Sequence, residues 1–127
     1  MQVLVVDDQP PFRAAARAVL SRISEFELVG EAASGEEAVS MSDSLRPDLV
    51  LMDINMGEMN GIEATRRVTS THPTTMVILV STYAAEDLPA DARSSGAAAY
   101  VHKDELSPRL LRRLWETGGD PAWPVSA

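Results

Sequence analysis

The chain has 127 residues, 45% of them hydrophobic and 24% charged, the mixture of one ordinary globular domain. Lys plus Arg number 11 against 19 Asp plus Glu, and the net charge of −8 argues against direct nucleic-acid binding over its surface. The lack of cysteine excludes disulfides, zinc–thiolate centres, iron–sulfur clusters and thiol nucleophiles.

The first strand is expected at Val3-Leu4-Val5-Val6, a continuous apolar run of the kind buried on both sheet faces. It meets acid at Asp7 too early to be a signal peptide. Phe12, Ala15, Ala16, Val19 and Leu20 then recur at helical spacing. Phe26-Glu27-Leu28-Val29-Gly30 alternates more and reads as an edge strand. Ser34-Gly35-Glu36-Glu37 is a capping box that starts the next helix. Leu49-Val50-Leu51-Met52 and Met76-Val77-Ile78-Leu79-Val80 are further buried strands. None of these runs approaches the roughly 20 residues a membrane helix needs, so a cytoplasmic protein without membrane contact is the expectation.

Residues 84–95 contain Pro89 and few large apolar side chains, so the helix expected there is short or loose. Ala98-Ala99-Tyr100-Val101-His102 is the fifth strand. Ser107-Pro108 starts a last helix, with Leu110, Leu111, Leu114 and Trp115 on one stripe and Arg109, Arg112 and Arg113 on a solvated face. The stretch 118–127, with two glycines and two prolines, reads as a C-terminal tail or the start of a linker. Strands recur roughly every 24 residues, room for a strand, two short loops and a helix of three turns. The pattern predicts a five-stranded parallel α/β sheet with helices on both faces.

Such sheets bind ligands beyond the carboxyl ends of their strands. The residues there are Asp7 and Asp8 after strand one, Asp53 after strand three, Ser81 after strand four and Lys103 after strand five. Asp or Ser after a strand is often only the N-cap of the next helix. The set says more. Carboxylates brought to one edge repel one another and raise each other's pKa, which a hard cation such as Mg²⁺ relieves. Lys103 is the only lysine beside ten arginines and supplies a compact point charge. Metal, ammonium and hydroxyl together suit a phosphoryl group. With no Gly-rich phosphate loop and no His triad, a carboxylate nucleophile is the remaining covalent option.

The segments Val5-Val6-Asp7-Asp8, Leu51-Met52-Asp53-Ile54-Asn55-Met56, Asn60-Gly61, Val80-Ser81-Thr82-Tyr83 and Tyr100-Val101-His102-Lys103 resemble, in order and spacing, the response-regulator receiver domain of two-component signalling. The resemblance covers residues 1–117. Gln9-Pro10 leading into Phe12-Arg13, and Asp104-Glu105-Leu106 after Lys103, are most similar to receivers that usually carry a C-terminal helix-turn-helix. It implies a (βα)5 flavodoxin-like fold of strand order 2-1-3-4-5. Asp53 would be the phosphoacceptor. Asp8 and Asp53 would hold Mg²⁺ (or Mn²⁺) directly with the backbone carbonyl of Asn55, and Asp7 through water. Lys103 and Ser81 would contact the phosphoryl group, and Ser81 and Tyr100 would form the switch.

By their places two residues after Asp53 and two after Ser81, Asn55 and Tyr83 are expected to tune the lifetime of the phosphorylated state. The implied partners are a sensor histidine kinase or a phosphotransfer protein. A homodimer would use the surface of the fourth helix, fifth strand and fifth helix. Two departures stand out: the family commonly has proline where this chain has Gly57, followed by Glu58, and proline where it has Asp104. The alternatives are the receiver half of a DNA-binding regulator and an aspartate-nucleophile phosphatase. The second is disfavoured because Asn55 stands where such enzymes usually place a second acid.

Overall fold

The computed structural model describes residues 1–121 and 123; Ala122 and 124–127, part of the expected tail, lie outside the described residues. Five strands, β1 (Gln2–Val6), β2 (Glu27–Ala32), β3 (Leu49–Asp53), β4 (Met76–Ser81) and β5 (Ala99–His102), form one parallel sheet of order β2-β1-β3-β4-β5. The alternating run is an edge strand, and the continuous apolar runs β1, β3 and β4 are central, as burial on both faces requires.

Period-two alternation sends neighbouring side chains to opposite faces. Leu4, Val6, Val50, Met52, Val77 and Leu79 pack with Ala38 of α2 (Gly35–Leu45) and with Ile62 and Val68 of α3 (Gly61–Thr71). Val3, Val5, Leu49, Leu51, Ile78 and Val80 pack with Ala16 and Leu20 of α1 (Pro10–Leu20) and Leu111 and Leu114 of α4 (Pro108–Thr117). The helix starts follow local chemistry. Ser34 Oγ accepts from Glu37 N–H, Asn60 Oδ1 from Glu63 N–H and Ser107 Oγ from Leu110 N–H. The Glu37 carboxylate of the capping box accepts from Ala33 N–H, one residue upstream of the N-cap.

The (βα)5 expectation needs one correction. The connection between β4 and β5 is no α-helix but two short 3-10 turns, Ala85–Asp87 and Ala90–Ala92. Proline at 89 and small or acidic residues leave this stretch neither a continuous hydrogen-bond ladder nor an apolar stripe.

The described part of the C-terminal stretch turns back onto the sheet. Gly119, at φ +121°, passes so close that an added Cβ would sit 2.7 Å from the Ala98 carbonyl oxygen. Asp120 N–H donates to Ala98 O at 3.1 Å, and Trp123 Nε1 donates to Ala97 O at 3.1 Å. The Trp123 ring is buried in the α2–α3 core cluster, with the Arg93 guanidinium stacked 4.7 Å from its centroid. It covers a sheet face that the fourth connection leaves open. Among the described residues no helix is long and apolar enough to cross a membrane.

Candidate functional site

The carboxyl ends of β1, β3, β4 and β5 deliver the site. Asp7 continues the β1 ladder through its N–H to Ala32 O and is fully buried. Its Oδ1 accepts from Gln9 N–H at 2.8 Å, and its carbonyl accepts from Arg13 Nη1 at 2.7 Å. These bonds fix the turn that carries the exposed Asp8. Asp53 closes β3 and is 4% exposed. Asp7, Asp8 and Asp53 each place a carboxylate oxygen within 4.8 Å of the others. Lys103 Nζ, just after β5, lies 2.7 Å from Asp7 Oδ2 and 3.6 Å from Asp53 Oδ1.

Burial pushes the Asp53 carboxyl up to about 6, and the Asp7 charge adds to the push. Lys103 pulls it down, Asp8 raises it further, and a hydrogen bond from Asn55 N–H lowers it. One ammonium therefore does not neutralise the cluster. Asp7 Oδ2 is buried and accepts no aligned hydrogen bond, with the Lys103 ammonium as its near counter-charge. Three carboxylates gathered within 4.8 Å and only partly compensated by one ammonium, one of them open to water, fit a small divalent cation that keeps part of its hydration shell.

Ser81 ends β4 one residue beyond Val80, which pairs with Asp53. Its buried hydroxyl accepts from Tyr83 N–H at 3.3 Å, within its own loop. Tyr83 is held at three points: that N–H, its hydroxyl donating to Asn55 Oδ1 at 3.3 Å, and its carbonyl accepting from Tyr100 OH. Tyr100 OH also lies 3.1 Å from Ser81 O. In this state the half-buried Tyr100 ring is already tied to the loop after β4.

Asn55 and Tyr83 are thus joined to each other beside Asp53. Gly57 adopts φ +49°, a conformation closed to proline, so this departure alters the path of the loop beside Asp53. Sequence reasoning overlooked the closeness of Gly61. An added Cβ there would lie 1.9 Å from the Asp53 carbonyl oxygen, so the start of α3 rests directly on the end of β3. The signal was the Asn60-Gly61 pair. It also overlooked Phe12, whose ring centroid lies 4.6 Å from Lys103 Nζ. Nothing beyond Phe12's place on the helical stripe pointed there.

A parallel sheet with this strand order, carrying a buried, charge-crowded aspartate at its active edge, defines the class of receiver-type signalling domains. Residues 3–114 match the response regulator receiver domain, and the chain belongs to that family. It is 35% identical over 114 residues to the transcriptional regulatory protein DegU of Brevibacillus brevis, covering 90% of this chain and 48% of that protein. It is 34% identical over 135 residues to a protein-glutamate methylesterase/protein-glutamine glutaminase of Alkalilimnicola ehrlichii, covering 98% of this chain and 35% of that one. The signal receiver domain of the putative response regulator NarL from Mycobacterium tuberculosis superposes with a TM-score of 0.80 at 31% identity, covering 91% of this chain and 94% of that one. The chain spans about half the length of the transcriptional-regulator relatives it matches.

Proposed function

We propose that this receiver is a phosphorylation switch that takes a phosphoryl group from a sensor histidine kinase or phosphotransfer protein onto Asp53. The observation that carries the reading is the Asp7–Asp8–Asp53 cluster with Lys103 between its two buried members. Asp8, Asp53 and the Asn55 carbonyl would hold Mg²⁺ or Mn²⁺, with Asp7 bound through water. Asp7's contact with Lys103 supports the indirect role. When bound, the cation supplies charge neutralisation for the transferring phosphoryl oxygens. An Asp53 oxygen bonds to phosphorus as the bond from phosphorus to the donor's leaving atom breaks, and the leaving group carries off that electron pair. Lys103 takes one phosphoryl oxygen, and Ser81 leaves Tyr83 N–H to take another.

Ser81 and Tyr83 share Tyr100 as a hydrogen-bond partner. A move of Ser81 would therefore reach β5 and the fourth connection. Together with α4 these form the surface proposed to meet a partner or a second copy. The domain acts as a switch and not as a catalyst for other substrates, in the cytoplasm. Its strands and helices lie within 1–117, and the stretch that follows, expected as a tail or linker start, adds Trp123 to the same core.

A second reading has support of its own: the chain is the receiver half of a DNA-binding regulator. The named transcriptional regulators it resembles are about twice its matched length. On that reading an attached domain binds DNA and this one, at charge −8, does not.

The test is intact-mass analysis after incubation with acetyl phosphate and Mg²⁺. Wild type should gain one phosphoryl group and Asp53→Asn none. Equal labelling of the two would remove Asp53 from its role.

A further inference from the structure

Lys103 reaches the site on a flexible four-carbon stem, and such an ammonium needs restraint to be useful. Its neighbours are Asp7 at 2.7 Å, Asp53 at 3.6 Å and the face of Phe12 at 4.6 Å. The two carboxylates are the groups that a divalent cation and a phosphoryl group would engage. The ring alone keeps the same attraction for the ammonium whether the cluster is empty or filled, because its negative face is a property of its π system.

The ring is also well anchored. Phe12 stands in the first turn of α1, whose entry is fixed by Pro10, Pro11 and the bond from Gln9 N–H to Asp7 Oδ1. It packs against the core face lined by Val3 and Val5. The ring walls an open groove of about 400 Å³, shared with Gln9, Pro11, Thr82 and Leu106, on which Lys103 borders. Without the ring, water and the exposed Asp104 carboxylate would compete for the ammonium.

We propose that Phe12 is a positioning residue for phosphoryl transfer: its ring holds the Lys103 ammonium beside Asp53 in both the empty and the occupied site. This rests on the reading of Asp53 as the phosphoacceptor. Phe12 touches neither the donor nor phosphorus. It acts by keeping Lys103 aimed at the oxygen that gains charge as the donor bond breaks. A cation–π contact of this kind changes a rate by roughly three- to tenfold.

Because Lys103 is the only lysine, the protein labelled with ¹³C,¹⁵N-lysine gives one side-chain signal. In wild type its ε-protons should be shifted upfield by the ring, both alone and with beryllofluoride and Mg²⁺. Phe12→Leu should return them to the ordinary lysine position, and Phe12→Tyr should restore the shift. With acetyl phosphate and Mg²⁺, Phe12→Leu should label three- to tenfold more slowly at an unchanged half-saturating Mg²⁺ concentration. Phe12→Tyr should label at the wild-type rate. In a Lys103→Ala background Phe12→Leu should have no further effect, and Phe12→Met gives the same comparison if the leucine variant folds poorly.

An unshifted lysine signal in the beryllofluoride state overturns the proposal. So does a wild-type rate in Phe12→Leu, or equal slowing with and without Lys103. Failure of the Asp53 reading shows separately, as a wild type that takes no label while its lysine signal is still shifted upfield, and this too leaves Phe12 nothing to position.

Discussion

At the carboxyl edge of the sheet, each group of the acidic cluster is delivered by the end of a strand, and its partners are Lys103 from the end of β5 and Gln9 in the turn after β1. The connection between β4 and β5 has no such frame. Its two 3-10 turns bury little of their own, and the sheet face beneath them is closed by Trp123, more than 20 residues away in sequence, held by Ala97 and Arg93. One region is held in place because its charged groups sit at the ends of hydrogen-bonded strands. The other depends on a side chain borrowed from the C-terminal stretch. The two meet at Tyr83 and Tyr100, whose hydrogen bonds tie the loop after Ser81 to β5. A switch needs such a pairing, a rigid site beside an element with few contacts of its own.

Removing the borrowed side chain should have the largest effect. Trp123→Ala should destabilise the protein by roughly 2–3 kcal/mol, because a buried aromatic leaves the α2–α3 cluster open. Thermal melting checks this. A loss below about 0.5 kcal/mol would mean that the fourth connection closes the face unaided.

The next effect tests the strain at the site itself. Asp53 has a folded pKa of about 6, above its value in an unfolded chain. Its contribution to stability is therefore complete below the unfolded pKa, near 4, and is lost as pH rises through 6. At neutral pH the ionised group opposes folding. Asp53→Asn should raise the metal-free melting temperature at pH 7–8, by an amount equivalent to about 1–3 kcal/mol, and change it little near pH 4. Mg²⁺ should raise the wild-type melting temperature at pH 7 and do so far less in Asp8→Ala. Melting curves with the same pH dependence in wild type and Asp53→Asn would show that the cluster is not strained.

A smaller effect belongs to the junction. Tyr83→Phe keeps the ring and loses the hydrogen bond to Asn55, opening the mouth of the site to water. The phosphorylated half-life should shorten by about two- to fivefold, the scale of one modest hydrogen bond. Decay followed by intact mass measures it, and an unchanged half-life would show that the Asn55–Tyr83 link is no barrier.

The same contrast explains what was legible. The five expected runs lie within one or two residues of the observed strands, and the three central ones were plainest because double burial is written in their own residues. Asp7, Asp8, Asp53 and Lys103 were legible because each directly follows such a run. The 3-10 turns at 84–96 were legible only as weakness, since Pro89 forbids a regular helix without saying what replaces it. The return of Trp123 left no local trace, because it depends on an open sheet face far away in sequence. The links among Tyr83, Asn55 and Tyr100 were hidden likewise, since loops after different strands meet only once the sheet has formed.

On the proposed mechanism a phosphoryl group on Asp53 reaches the fourth connection through Ser81, Tyr83 and Tyr100. Amide NMR spectra with and without beryllofluoride and Mg²⁺ test it directly. Shifts at Asp53 and Ser81 should continue through Tyr83, residues 84–96 and Tyr100 to the indole N–H of Trp123. Shifts confined to the residues around Asp53, with Tyr100, residues 84–96 and Trp123 unmoved, would contradict it.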